Sequence, residues 1–248
     1  MLDALIWGLI ATSSLIVGGS LGMWVDFSRR SLGIIMAFGA GVLISAVAYE
    51  LTFDAMRDAS GTGFPAYGFL VGALTFFFID MLIGKIGAQD RMAIKSEHHT
   101  GLVAPLVLAI ILDGVPESAV LGLGIRESGE VSMALLVAVF ISNLPEAIAG
   151  TSGMKAAGWG RAKVQFLWLG IAIVCALTSA AGYVLLGTAS VLWLSFIKTF
   201  AAGAILVMLA NTMMPEAFAH GGKLAGLFTV LGFMVSIGVI MLEHAQGQ

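Results

Sequence analysis

The feature that most constrains this chain is the recurrence of apolar runs, each roughly 20 residues long and followed by a short polar connection. A run of that length crosses a ~30 Å hydrocarbon core as an α-helix. Hydrophobic residues make up 59% of the chain and charged residues 11%, against about 25% charged residues in an ordinary soluble domain. The sequence therefore predicts an all-α integral membrane protein and excludes a soluble enzyme.

Eight membrane spans are predicted, and they form a single transmembrane domain over residues 1–248. They cover residues 4–25, 32–53, 64–84, 102–124, 131–153, 164–186, 196–218 and 223–243. The one long polar connection, residues 85–100, is predicted to be a loop. The first run lacks a preceding basic residue and a clear cleavage site, so we expect a retained helix rather than a signal peptide.

Positive charge is distributed unevenly between alternate connections. One side carries nine Lys and Arg residues and the other carries three, which are Arg57, Arg126 and Lys198. Because cytoplasmic loops retain positive charge, we expect both termini outside and the loop with His98 and His99 inside, most simply in a bacterial cytoplasmic membrane. No basic face is formed, so the partners predicted here include the lipid bilayer and exclude nucleic acid.

Two internal similarities link spans that run in opposite directions. FGAGVLISAVAYELTFDAM (38–56) in the second span matches FAAGAILVMLANTMMPEAF (200–218) in the seventh at an offset of 162 residues. DGVPESAVLGLG (113–124) in the fourth matches SNLPEAIAGTSG (142–153) in the fifth at an offset of 29. Inverted repeats of this kind are typical of secondary transporters, in which the binding site lies at the repeat interface.

Both members of the second similarity place a glutamate directly after a proline, inside an apolar run: Pro116-Glu117 and Pro145-Glu146. Proline removes one helical hydrogen bond and frees the carbonyl four residues earlier. A carboxylate in hydrocarbon costs roughly 3 kcal/mol on insertion scales and normally faces the bundle interior or a water-filled path. A structural alternative stays open, in which protonated carboxyl groups hold neighbouring helices together.

Residues four apart share one helix face, so oxygen donors gather beside these glutamates. Such donors suit Mg²⁺, Mn²⁺ or Fe²⁺ and also bind Zn²⁺. We therefore predict a divalent metal site, with the ion as substrate and no organic cofactor. Its predicted ligands are Asp113, Glu117, Ser142 and Glu146, extended by Asn143 and Glu50. Asn211 is a further candidate donor, Asp80 lies in the third span with its partner unidentified, and Cys175 is read as a core residue.

These features together resemble the ZIP (Zrt/Irt-like protein) family of divalent metal transporters over nearly the whole chain. The resemblance is carried by the eight spans, the paired Pro-Glu helices, the TMMPEAFAHGG run that closes the seventh span, and histidines in the loop after the third. It implies that helices two, four, five and seven surround the metal site and move against helices one, three, six and eight. The family typically writes helices four and five as HNxPEG and H(E/D)xPEG and holds two metal ions there.

The resemblance carries over residue by residue, with departures. Asp113 and Gly114 stand at the His and Asn positions of helix four, and Ser142 and Asn143 stand at the His and acidic positions of helix five. Both glutamates are retained and both histidines are absent. Hard oxygen donors remain, which lowers the expected preference for zinc. Because glycine removes one ligand of the second metal, we expect one main site.

The function predicted from these residues is secondary transport of Zn²⁺, Fe²⁺, Mn²⁺ or a similar cation, Mg²⁺ included, by alternating access. The sequence has no HExxH and no GxGD motif, so we predict that the protein is not an enzyme. Two alternatives remain: a transport-inactive metal sensor or scaffold, and a permease for another cation or small solute. The coupling ion, the direction of transport and the oligomeric state, for which a homodimer is one option, are open at this point.

Overall fold

The computed structural model describes residues 1–85, 103–185 and 189–246, and within these ranges the chain is helical with no strand. The long helices are α1 (Leu2–Trp24), α2 (Arg29–Asp58), α3 (Phe64–Ile83), α4 (Val103–Ser128), α5 (Met133–Ala156), α6 (Arg161–Leu185), α7 (Val191–Gly221) and α8 (Leu224–Gln246). Beyond Lys85, the predicted loop with His98 and His99 lies outside the described residues.

Seven of these helices, α1 to α3 and α5 to α8, are long and apolar enough to cross a membrane. This confirms the prediction of an all-α, multi-pass membrane protein. The helix ends agree with the spans expected from hydropathy to within five residues, because the thickness of the hydrocarbon core sets the length of each run.

A tight turn joins α4 to α5, and local chemistry fixes it. Gly129 has a φ of 79°, in the left-handed region that glycine adopts without steric cost. Ser132 then begins α5, since its hydroxyl accepts a hydrogen bond of 3.1 Å from the backbone N–H of Leu135. α4 and α5 therefore form an antiparallel hairpin, called the hairpin below.

The helices pack as two groups of four. In the first group, α1 contacts α5 and α6, and α6 also contacts α4. In the second group, α3 packs along α7, and α2 packs along α8 and the final turns of α7. Contacts between the groups run mainly through α2 with α5, α4 with α7 and α8 with α5. With the contacts of α4 with α5 and of α2 with α7, these four helices close a ring. The tightest packing thus follows a different division from the one that the family resemblance implied.

Glycines set the distance between helices of the second group. A Cβ added at Gly41 of α2 would lie 1.9 Å from a backbone oxygen of α8, and one at Gly232 of α8 would lie 2.0 Å from a backbone oxygen of α2. The same reciprocal contact joins α3 and α7, with 1.9 Å at Gly72 and 2.1 Å at Gly203. Backbones that approach this closely leave no room for a side chain, as expected where helices associate in lipid.

Two of the ring helices contain a π-helical turn, Val47–Phe53 in α2 and Leu209–Met213 in α7. The turns begin at residues 47 and 209, which are 162 residues apart, the offset at which the two sequences match. A π turn winds one extra residue into the helix and is frequent at functional sites. Glu50 lies in the first π turn, and Asn211 and Thr212 lie in the second.

Substitution at the close contact between α3 and α7 tests this packing. We expect Gly203→Ala to lower the free energy of unfolding by about 1–3 kcal/mol, because the two backbones must separate to admit the methyl group. Gly170→Ala in α6 is the matched control, since nothing lies within 4 Å of an added Cβ there. Thermal unfolding in detergent measures both variants, and equal midpoints would contradict the packing described here.

Candidate metal site in the hairpin

The predicted ligands of the hairpin lie inside the protein. Asp113, Glu117 and Glu146 are each no more than 4% exposed, and Ser142 and Asn143 are buried with them. Prolines interrupt the hydrogen-bond ladders of both helices beside the two glutamates. These five residues are called the polar seam below. Carboxyl groups this far from solvent need a proton, a hydrogen-bond donor or a cation, since a bare buried charge is very costly.

The fold brings several groups of the polar seam near one another. Asp113 is close enough to Glu117 for their charges to interact, as the spacing of four residues predicted. Glu117 and Glu146 both act electrostatically on the thiol of Cys175 in α6. That thiol is itself buried, so the carboxyl groups of both hairpin helices lie within electrostatic range of one side chain of α6.

Cys175 occupies the space that the absent side chain of Gly114 leaves. A Cβ added at Gly114 would lie 2.9 Å from the Cys175 sulfur atom. The sequence placed this cysteine in the core, and it does belong to a buried apolar cluster with Trp168 and Ile171. Its position against the polar seam was missed, because no pattern in α6 indicates which residue faces α4.

Ser142 and Asn143 differ in how their polar atoms are used. The Ser142 hydroxyl donates a hydrogen bond of 3.1 Å to the Val139 carbonyl, so its proton is taken by its own helix and only its lone pairs remain. The side-chain nitrogen of Asn143 is buried and has no hydrogen-bond partner within the described residues. A buried donor in this state costs about 1–3 kcal/mol. Packing alone does not explain why an amide stands here.

Glu50, the sixth predicted ligand, belongs to the other group of helices. It lies half-buried in the π turn of α2, a helix that packs against α5. Across residues 1–85, 103–185 and 189–246, no three His, Cys, Asp or Glu side chains lie close enough together to hold a metal ion. The six-residue metal site therefore stays a prediction.

Asn211, a further candidate donor, is directed elsewhere. Its amide nitrogen donates a long hydrogen bond of 3.5 Å to a carboxylate oxygen of Asp80, between α7 and α3. The Asn211 side chain is exposed on the surface of the helical bundle rather than buried with the polar seam. This contact supplies a partner for Asp80 that the sequence could not identify, since the two residues are 131 positions apart.

Fold and site together define a multi-pass, all-α membrane protein with buried carboxyl groups in one helical hairpin. No protein-family model matches the chain. No curated protein matches it either. The resemblance to the ZIP family consequently rests on the sequence motifs alone.

The unsatisfied amide gives a stability prediction. We expect Asn143→Leu to leave the thermal midpoint unchanged or to raise it, because it removes a buried donor that has no partner in the described structure. Thr151→Val is the control: Thr151 accepts a 2.8 Å hydrogen bond from the indole nitrogen of Trp168, and its loss should cost about 1–3 kcal/mol. If both variants lose equal stability in detergent, the Asn143 amide has a partner.

Proposed function

We propose that this protein is a secondary transporter that moves a divalent metal cation across a membrane by alternating access. The observation that carries the proposal is the pair of buried carboxyl groups, Glu117 and Glu146, beside prolines in two antiparallel helices. Ionisable groups inside membrane proteins are costly, pair with one another, and commonly mark an ion pathway. In this proposal the polar seam is the point at which the cation binds.

The length and packing of α4 support an eighth span. α4 has 26 residues, more than the roughly 20 needed to cross the hydrocarbon core. Its neighbours in sequence and in space are membrane-spanning candidates, and it packs along one of them, α6. We infer that α4 crosses the membrane with its carboxyl groups directed into the bundle.

Helix packing also supports an inverted repeat. The proposed repeat pairs α1 with α6, α2 with α7, α3 with α8 and α4 with α5. Under this pairing, the contact between α2 and α8 corresponds to the contact between α7 and α3. In the same way, the contact between α1 and α5 corresponds to the contact between α6 and α4. Each pair relates two helices of opposite direction, as in transporters whose site lies between the repeats.

The donor set indicates the class of substrate. Carboxylate, hydroxyl and amide oxygens suit Mg²⁺, Mn²⁺ and Fe²⁺ and also bind Zn²⁺. In our proposal Glu117 and Glu146 bind the ion, Asp113 and Ser142 complete the main site, and Asn143 and Glu50 extend it. The bias of positive charge toward one side favours an orientation with both termini outside the cytoplasm.

A transport-inactive metal sensor or scaffold is the second candidate. A scaffold needs no metal ligands, and within the described residues no three acidic, Cys or His side chains are gathered closely enough to hold a metal ion. The replacement of both family histidines points the same way. The two candidates differ in one measurable property, since a sensor binds the ion without moving it.

Uptake into proteoliposomes separates these functions. We expect flux of at least one of Zn²⁺, Fe²⁺, Mn²⁺ and Mg²⁺. Glu117→Gln or Glu146→Gln should reduce this flux more than about tenfold, since even residues that only hydrogen-bond to metal ligands are worth about 10- to 100-fold in affinity or activity. Glu130→Gln in the exposed turn of the hairpin is the control and should leave flux unchanged. Unchanged flux in both seam variants refutes the proposal, and ion binding without flux indicates the sensor.

A further inference from the structure

Charged side chains meet at one end of the bundle, where α4 ends and α5 begins. This end, called the turn end below, contains the α4–α5 turn around Gly129. Lys198 of α7 is found here. From the sequence we assigned it to a connection between spans. In the structure it lies inside α7, and its side chain is only 11% exposed. A lysine that is so little exposed needs an anionic partner.

Lys198 joins the two groups of helices. Its ammonium nitrogen lies 2.6 Å from a carboxylate oxygen of Glu127 in α4 and 3.9 Å from one of Asp58 in α2. Lys198 and Asp58 belong to the second group, whereas Glu127 ends the first helix of the hairpin. Because the Lys198–Glu127 pair is mostly removed from water, it is screened less than a surface ion pair.

A second contact joins the groups at the same end. The carboxylate of Glu243 in α8 accepts hydrogen bonds from the backbone N–H groups of Met133 and Ala134, the latter at 3.3 Å. These N–H groups open α5 and have no partner within their own helix, and the positive end of the helix dipole favours a carboxylate there. Both helices of the hairpin are therefore held by the second group.

An apolar layer separates these contacts from the polar seam. Val120 and Leu121 of α4 and Leu135, Leu136 and Val139 of α5 are buried in one cluster with residues of α2 and α7. They lie along the hairpin between its turn and the seam carboxyl groups. A cation cannot cross such a layer without losing its hydration, so the seam is closed toward the turn end.

The other buried cluster is different. Its described members, which include Leu15, Ile110 and Met154, come from α1, α4, α5, α6 and the residues that join α5 to α6. It holds the first group together and does not bridge the two groups. The described apolar contact between the groups thus lies in one cluster, which borders the turn end and also includes Leu32, Ala217 and Ala225 at the opposite end.

We propose that Lys198 and Glu243 form a clasp that holds the polar seam closed toward the turn end. Both links must release before a cation can reach the seam from that side. The clasp joins the hairpin to helices of the other group through two charged contacts, which can break and re-form more readily than interlocked glycine backbones. As a transport gate it rests on the proposed function; as a closure of the seam it can be tested without transport.

Cys175 provides the readout, because it is the one cysteine of the chain, is buried, and touches Gly114 at the polar seam. The experiment measures its rate of reaction with a cationic, membrane-impermeant methanethiosulfonate reagent in proteoliposomes. The reagent is applied to either face separately, and accessible tags near Gly129 and at the opposite end identify the faces. We expect Lys198→Gln and Glu243→Gln each to raise the rate from the turn-end face about tenfold, by increasing the open population.

Two controls sharpen this test. Lys198→Arg keeps the charge and should keep labelling slow. Lys155→Gln removes an exposed 3.0 Å pair with Asp26 at the other end of the bundle and should leave the turn-end rate unchanged. Thermal unfolding shows that each variant is folded, and if Lys198→Gln is not, Glu127→Gln removes the same ion pair.

The outcomes separate the clasp from the transport proposal. Unchanged turn-end labelling in folded Lys198→Gln and Glu243→Gln variants overturns the clasp, and so does labelling that rises equally from both faces. Faster turn-end labelling together with no uptake of any ion supports the clasp and removes the proposed function. Uptake of an ion without a labelling response supports the proposed function and overturns the clasp.

Discussion

The constraint on which this structure depends is that a lipid bilayer offers no hydrogen bonds to a polypeptide. Each spanning helix must satisfy its own backbone, and helices then associate through shape and a few polar contacts. Close association through shape occurs at glycines, as where Gly72 and Gly203 bring the backbones of α3 and α7 into contact. The π turns Val47–Phe53 and Leu209–Met213 lie instead in the ring of α2, α4, α5 and α7, as do the prolines inside these helices, Pro116, Pro145 and Pro215. Backbone irregularity and buried carboxyl groups thus share one region, which is where an irregular backbone inside a membrane can be tolerated.

The two groups of helices divide the predicted ligands unequally. Five of the six belong to the hairpin of the first group, and Glu50 belongs to the second. The closest glycine contacts with a neighbouring backbone lie within each group, whereas contact between the groups relies on Gly39 of α2 against α5, on apolar side chains and, at the turn end, on two charged contacts. A relative movement of the groups would change the distance from Glu50 to the polar seam and leave the distances within the hairpin unaltered. If the proposed site binds a cation, the contribution of Glu50 to that binding is therefore expected to depend on conformation, unlike that of Glu117.

Sequence and structure agree where a single physical quantity decides the outcome. Helix positions were predictable because bilayer thickness fixes the length of an apolar run, and the proximity of Asp113 to Glu117 followed from helical spacing. The π turns were not predicted, since hydropathy does not reveal one extra residue within a uniformly apolar helix. Contacts between distant helices, such as Asn211 with Asp80 or Cys175 with Gly114, leave no trace in one sequence. One relation between distant helices was visible in the sequence. The offset of 162 residues at which the second and seventh spans match is also the offset between the π turns of α2 and α7.

In the proposed metal site, acidic and hydroxyl side chains stand where the ZIP-family pattern that the sequence resembles has histidines, and this difference would change more than the softness of the donors. An imidazole ligand is neutral, whereas Asp113 adds a second carboxyl group beside Glu117 in a site from which water is largely excluded. Two buried carboxylates at this spacing repel each other unless a proton or a cation lies with them. In the proposed transporter, a divalent ion that enters the polar seam would then displace protons, and its departure would readmit them. Exchange of protons for the cation would supply a coupling ion from the ligands themselves, without a separate proton pathway residue.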